Sequence, residues 1–194
     1  FSGKTEELMR RLKRAEYAKR NVLTVKHHID NRCSYTTIST HNGALRKAHP
    51  FKNSKEDLQR ILDLADESID IVGIDEVQFF ASDIVSVICA LVDAGKRIIA
   101  AGLDLTFQGE PFGVMPVLLS IADHVTKLRA ICVQCGREAT FTQRIIDGKP
   151  ARYNDPIVLV GAKECYEARC RNCFSIDKAP RPEKILPPQS ALHG

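Results

Sequence analysis

F-S-G-K-T at residues 1–5 and I-D-I-V-G-I-D-E-V-Q-F-F at residues 69–80 together decide the fold. The first is the closing half of a phosphate-binding loop, G-x-x-x-x-G-K-[ST]. Gly3, Lys4 and Thr5 fill its last positions, and its first glycine would stand three residues before Phe1. Each residue type suits the chemistry. A glycine without Cβ lets backbone N–H groups approach phosphates, a lysine brings a point charge, and a threonine hydroxyl can ligate Mg²⁺. Thr5 also opens an amphipathic stretch, T-E-E-L-M-R-R-L-K-R-A-E-Y, so the loop meets a helix N-terminus, which favours anions. A bare G-K-T is also compatible with an ordinary capped helix. The second stretch weighs against that reading. Ile71, Val72 and Ile74 form an apolar run suited to a strand buried on both faces, and it ends in Asp75 and Glu76. Carboxylates at the carboxyl end of such a strand lie where α/β sheets bind ligands, and in P-loop proteins an Asp there holds Mg²⁺.

The elements around these stretches alternate. The spacing predicts a helix over 5–19, a strand over 22–25, an irregular polar stretch over 27–53 and a helix over 54–66 with Ser54 and Asp57 as a capping pair. A strand over 69–74, a helix over 82–93, a strand over 97–101, a loop over 102–113, a helix over 116–122 and a strand over 124–131 follow. This order predicts a P-loop-type α/β domain with a parallel sheet and helices on both faces. Bulk composition agrees. A chain of 194 residues with 44% hydrophobic content suits one compact domain with a small appendage. The net charge of +4 is too small to require a nucleic-acid partner. No apolar run approaches the roughly 20 residues of a membrane span, and no signal-peptide pattern is visible, so a cytoplasmic protein is expected.

The cysteines form a third signal. Of seven, four make two C-x-x-C pairs, Cys132/Cys135 and Cys170/Cys173. Two such knuckles supply four thiolates for a structural, tetrahedral Zn²⁺; disulfides or a redox pair are the other readings, and disulfides suit a secreted protein. Cys165 is out of spacing, and Cys33 and Cys89 read as small packing residues. The insertion between the knuckles ends in an apolar stretch, D-P-I-V-L-V-G-A-K-E-C-Y at 155–166. It could close over the sheet's carboxyl edge as a lid, or pack as a hairpin on its own knuckle. The tail at 175–194 is Pro-rich and polar and is expected to be disordered.

F-S-G-K-T-E-E-L-M-R-R, I-D-N-R at 29–32, I-D-E-V-Q-F-F at 74–80, G-L-D-L-T-F-Q-G-E-P-F-G at 102–113, C-V-Q-C-G-R-E-A-T-F-T-Q-R at 132–144, and I-V-L-V-G-A ahead of Tyr166 and C-R-N-C resemble the type II thymidine kinases. These are cytosolic enzymes of many bacteria, animals and poxviruses. The resemblance runs in order from residue 1 to about 174. It implies an ATP-binding α/β domain over 1–130 and a zinc-binding lasso domain over 131–174.

The resemblance also implies roles. Ser2, Gly3, Lys4 and Thr5 match the ATP-phosphate loop. Asp75 matches the Mg²⁺ acid, and Val77 and Gln78 fall in the same ATP/Mg segment. Glu76 matches the general base that takes the 5′-hydroxyl proton of thymidine. Arg32 matches an arginine that steadies the transferring phosphoryl group, and Asp30 stands in the same loop. Phe79, Leu103, Phe107 and Phe112 match apolar residues around thymine, with Thr142 near its methyl. Ile157, Val158, Leu159, Val160 and Gly161 match the lasso backbone that bonds the base edge, and Tyr166 matches a tyrosine beside the nucleoside. A homotetramer and feedback inhibition by dTTP are implied as well. The expected activity is ATP-dependent 5′-phosphorylation of thymidine and deoxyuridine. The alternatives are a kinase for another deoxynucleoside, and a P-loop ATPase whose zinc ribbon binds nucleic acid. The apolar rather than Lys/Arg-rich insertion argues against the latter.

Overall fold

The computed structural model describes residues 2–29, 36–40, 43–157 and 164–177. Helix α1 (Lys4–Tyr17) begins at Gly3, whose φ of 75° is left-handed and open to glycine without strain. Glu6 and Glu7 complement the positive end of the helix dipole, and Leu8 and Leu12, one turn apart, are buried. The chain then forms strand β1 (Val22–His27), a hairpin of β2 (Thr37–Ser39) and β3 (Leu45–Lys47), and strand β4 (His49–Phe51). Helix α2 (Lys55–Leu64) follows, with the Ser54 hydroxyl accepting from the Asp57 N–H as the capping pair predicts. Strand β5 (Ile71–Asp75) is buried throughout and runs into a 3₁₀ turn at Val77–Phe79. Helix α3 (Asp83–Asp93), strand β6 (Arg97–Ala100) and helix α4 (Met115–Ile121) complete this half of the chain.

The central sheet is parallel, in the order β4-β1-β5-β6. Alternation along β5 assigns its faces. Val72 and Ile74 join a core with Leu58 and Ile61 of α2 and Ile84 and Leu91 of α3, while Ile71 joins Leu8 and Leu12 of α1. Helices therefore cover both faces, as in a P-loop-type α/β fold.

Two stretches differ from the sequence reading. Residues 27–53, expected to be irregular, contain the β2–β3 hairpin and the sheet strand β4. These strands have only three residues each, too short for periodicity to register. Residues 124–131, expected to be a strand, form no strand except at β7 (Ala130–Ile131), which pairs with β8 (Glu138–Ala139) around the first knuckle.

Beyond the knuckle, β9 (Phe141–Ile146), β10 (Lys149–Pro150) and β11 (Glu164–Arg169) form an antiparallel sheet ordered β10-β9-β11. The insertion between the cysteine pairs is thus partly a hairpin on its own knuckle. Ser175 and Asp177, placed by composition at the start of the tail, are attached. The Ser175 N–H donates to Gln143 Oε1 at 2.9 Å, and Asp177 bridges to Arg152.

Candidate active site

The carboxyl end of β5 and the start of α1 meet. Thr5 Oγ1 donates to Asp75 Oδ2 at 3.2 Å, across 70 residues of sequence. Asp75 Oδ1 accepts the Glu76 N–H at 3.1 Å. Adjacent oxygens in an octahedral Mg²⁺ shell lie about 3 Å apart, so this hydroxyl–carboxylate pair fits two neighbouring ligand positions. A phosphate held at Gly3 and Lys4 would lie at the N-terminus of α1.

Glu76 is 6% exposed and stands in the left-handed region, φ 51° and ψ 42°. For a side chain with a Cβ this conformation costs on the order of 1 kcal/mol or more and persists only where neighbours enforce it. They are identifiable here. Gln78 Nε2 donates to Glu76 Oε2 at 2.6 Å, and Gln78 Oε1 accepts the Leu103 N–H at 3.1 Å. One amide thus links the carboxylate to loop 102–113. The same loop closes on the Gln78 backbone at Gly113, where φ is 49° and a Cβ would fall 2.4 Å from the Gln78 carbonyl oxygen. No residue but glycine fits there. Asn53 pins the 3₁₀ turn from outside. Its Nδ2 donates to the Phe79 carbonyl at 3.1 Å, and its Oδ1 accepts the Ala81 N–H at 2.8 Å.

The remaining predicted residues separate by depth. Val77 packs in the core, and its N–H donates to the Ala101 carbonyl at 3.0 Å, so its side chain lines nothing. Phe79 and Phe112 are half-buried and meet edge to face, centroids 5.5 Å apart. Phe107 is buried at 4% exposure beneath the guanidinium of Arg144, 5.0 Å from the ring centroid. Thr142 lies on β9, opposite Ala168. Ile157 and Tyr166 are exposed. A cleft of about 570 Å³ is lined by Ser2, Lys4, Leu103 and Thr142 but runs along α3, α4 and residues 121–128, and Thr5, Asp75, Glu76, Phe79, Phe107, Phe112 and Tyr166 do not line it. A larger groove of about 690 Å³, lined by Arg10, Arg14, Arg20 and Arg97, lies at the amino ends of β5 and β6 and holds none of these residues. Asp30, Arg32, Val158, Leu159, Val160 and Gly161 lie outside the described residues.

Besides Asn53, four residues around the site escaped the sequence reading. Lys26 is 1% exposed, in register beside Asp75, and donates to the Thr37 carbonyl at 2.9 Å. A lysine inside the apolar run V-L-T-V-K was the available signal. His27 packs edge-on against Phe80 at 4.9 Å, and its pKa falls to about 4 because the ring is buried and His28 lies beside it. The Ile29 N–H donates to His27 Nδ1 at 3.3 Å, which matches a neutral ring. Arg144 and Tyr153 are the other two; a charge within the alternation F-T-Q-R-I-I marks the former.

The four cysteine sulfurs lie within 4.8 Å of one another, and those of Cys135 and Cys170 are 3.6 Å apart. That is too long for a disulfide and close to the roughly 3.8 Å edge of a ZnS₄ tetrahedron with Zn–S bonds of about 2.3 Å. Each knuckle is closed by its own backbone, Gly136 N–H to the Cys132 carbonyl at 2.9 Å and Cys173 N–H to the Cys170 carbonyl at 3.1 Å. The Arg137 guanidinium lowers the Cys135 thiol to about 6, whereas hydrogen bonding with Cys135 and Cys170 pushes Cys173 up to about 12. Thiolates so close repel one another, and a divalent cation removes the conflict. The cluster therefore suits a structural Zn²⁺, with all four positions filled by protein.

Among the described residues, no helix is long and apolar enough to cross a membrane. A family model described as thymidine kinase matches residues 1–174, which takes in the phosphate loop, the Asp75–Glu76 strand end and both knuckles. The chain belongs to the thymidine kinase family.

Proposed function

We propose that the protein transfers the γ-phosphoryl group of ATP to the 5′-hydroxyl of thymidine, giving dTMP, and accepts deoxyuridine as well. The observation that carries this reading is the Thr5–Asp75 contact, with Glu76 fixed beside it at the sheet's carboxyl edge. Gly3 and Lys4 hold the ATP phosphates, and Thr5 and Asp75 hold Mg²⁺, which when bound neutralises charge on the phosphates. Glu76 accepts the 5′-hydroxyl proton as that oxygen attacks. A carboxylate suffices because the transition state is loose and catalysis consists mainly of positioning and charge neutralisation. Gln78, bonded to Glu76, keeps its carboxylate aimed. Arg32, by resemblance, steadies the phosphoryl group.

Phe79, Leu103, Phe107, Phe112, Thr142 and Tyr166 form the thymine pocket, closed by the lasso from Ile157 to Gly161. Residues 1–130 serve as the ATP-binding domain and 131–174 as the zinc-anchored nucleoside domain. Homotetramer formation, inhibition by dTTP and a cytoplasmic location follow from the resemblance alone. The test is a panel of nucleosides with ATP and Mg²⁺, read out as monophosphate. Thymidine is the expected best substrate, and a panel with no thymidine product rejects the proposal.

A further inference from the structure

Among the described residues, Arg144 is the largest side chain that is wholly buried, at 0% exposure. Burying a cation is costly unless the structure uses its hydrogen bonds. Arg144 touches three segments at once. It lies on β9, stacks its guanidinium over Phe107 in loop 102–113, and donates to the Pro156 carbonyl, one residue before the lasso begins. On β9 it shares a face with Thr142, two residues earlier, and it pairs directly across the sheet with Tyr166. Thr142 and Tyr166 on that face, and Phe107 beneath the guanidinium, are assigned to the nucleoside pocket, and Arg144 is not.

A second tie joins the same two arms. Gln108 Nε2 donates to the Tyr153 carbonyl at 2.6 Å, and the Tyr153 hydroxyl donates to the Glu110 carboxylate. Both arms are stiff. Loop 102–113 is closed by the Phe112 N–H to the Asp104 carbonyl at 2.9 Å, by the Thr106 N–H to the Glu110 carbonyl at 2.8 Å, and by a bridge between Leu105 and Pro111. The 151–156 turn is closed by the Ala151 N–H to the Arg144 carbonyl at 2.9 Å and the Arg152 N–H to Asp155 Oδ2 at 2.8 Å. Ties between two stiff segments fix the distance between them.

We propose that Arg144 and Tyr153 are positioning residues that clasp loop 102–113 to the 151–157 turn, and so set the width of the nucleoside pocket without touching the reacting atoms. The proposal rests on the nucleoside-kinase reading for its effect on substrate, but the clasp itself can be measured without substrate.

Two measurements test it. In kinetics, Tyr153→Phe and Glu110→Ala should each raise KM for thymidine about tenfold, the effect of losing one hydrogen bond to a charged group. KM for ATP should be unchanged and kcat should fall less than twofold. The double variant should be no worse than either single variant, because both remove one contact. Arg144→Met should raise thymidine KM by about 30-fold or more, and Arg144→Lys should recover part of it. In hydrogen exchange on the substrate-free protein, the Arg152 and Asp155 amides should exchange faster in Tyr153→Phe than in the parent chain. Additive kinetic effects, a parallel rise in KM for ATP, or unchanged exchange would each overturn the clasp. If Arg144→Met does not fold, the Tyr153–Glu110 pair decides. If the parent chain ignores thymidine, the function reading fails while the exchange result still reports on the clasp.

Discussion

A carboxylate can serve as a general base only if its lone pairs are held toward one proton, and Glu76 is held by unusual means. Its backbone sits at φ 51°, where a side chain is rarely found, and the Gln78 amide holds its carboxylate at 2.6 Å. Glu76→Gln keeps the size and the backbone demand but cannot take a proton. In the proposed reaction kcat should fall roughly 10²-fold or more, with ATP binding retained. Steady-state kinetics beside nucleotide titration check this, and near-normal turnover would remove Glu76 from the mechanism. His27 has a different consequence, for stability. Burial and its neighbour His28 lower its pKa to about 4, well below the ordinary value of 6.5. Between those values the unfolded chain binds a proton that the folded one does not. The stability this neutral ring contributes is therefore intact above pH 6.5 and lost as pH falls toward 4. The loss attributable to His27 between pH 7 and 4.5 should be about 2 kcal/mol. His27→Phe, measured by urea midpoint at both pH values, should be less acid-sensitive than the parent by that amount. Equal sensitivity would show that His27 is not the titrating group.

Among the elements, the knuckles suit a structural metal rather than a reacting one, since all four cysteine sulfurs belong to one cluster within 4.8 Å. Cys132 and Cys170 are buried with Ala139 of β8 and Ala168 of β11, so the cysteine cluster and the small antiparallel sheet share a core. Cys170→Ser should release one zinc per chain and weaken thymidine binding more than ATP binding, because β9 and β11 carry Thr142 and Tyr166 while Gly3, Lys4 and Thr5 belong to the start of α1. Metal analysis with two ligand titrations checks this; full activity in zinc-free protein would contradict it. These knuckles were legible in the sequence because C-x-x-C fixes its own local geometry. The strand β5 was legible because five successive residues of it are buried. Strands β2, β3 and β4 were not, since three-residue strands leave no period. Residues 124–131 misled in the opposite direction: V-T-K-L-R-A-I has the composition of a strand, yet only its last two residues find a partner. The candidate pair Asp75–Glu76 was visible as a strand ending in acids. Asn53, which pins the turn after Glu76, and Lys26, in register beside Asp75, were not, because their contacts are set by tertiary placement alone.

At the scale of the whole molecule, two sheets of different kind divide the proposed work. The parallel sheet carries Asp75 and Glu76 at its carboxyl edge beside Thr5, and the antiparallel sheet carries Thr142 and Tyr166. Selectivity then depends on what the second sheet offers to a base. An apolar niche recognises a methyl weakly, so loss of the 5-methyl should cost only about 1–3 kcal/mol in kcat/KM, and deoxyuridine should remain a usable substrate. Deoxycytidine differs in kind. It places an amino donor where thymine has a carbonyl acceptor, and backbone groups of the lasso at 157–161 would face the wrong partner in a pocket closed to water. Leaving buried polar groups unpaired can lower kcat/KM by about 10⁴-fold or more. Purine nucleosides should fail on size. Competition assays with paired nucleosides give these ratios directly. Should deoxycytidine or deoxyadenosine be phosphorylated as well as thymidine, backbone recognition by the lasso is wrong, and a broader deoxynucleoside kinase takes its place.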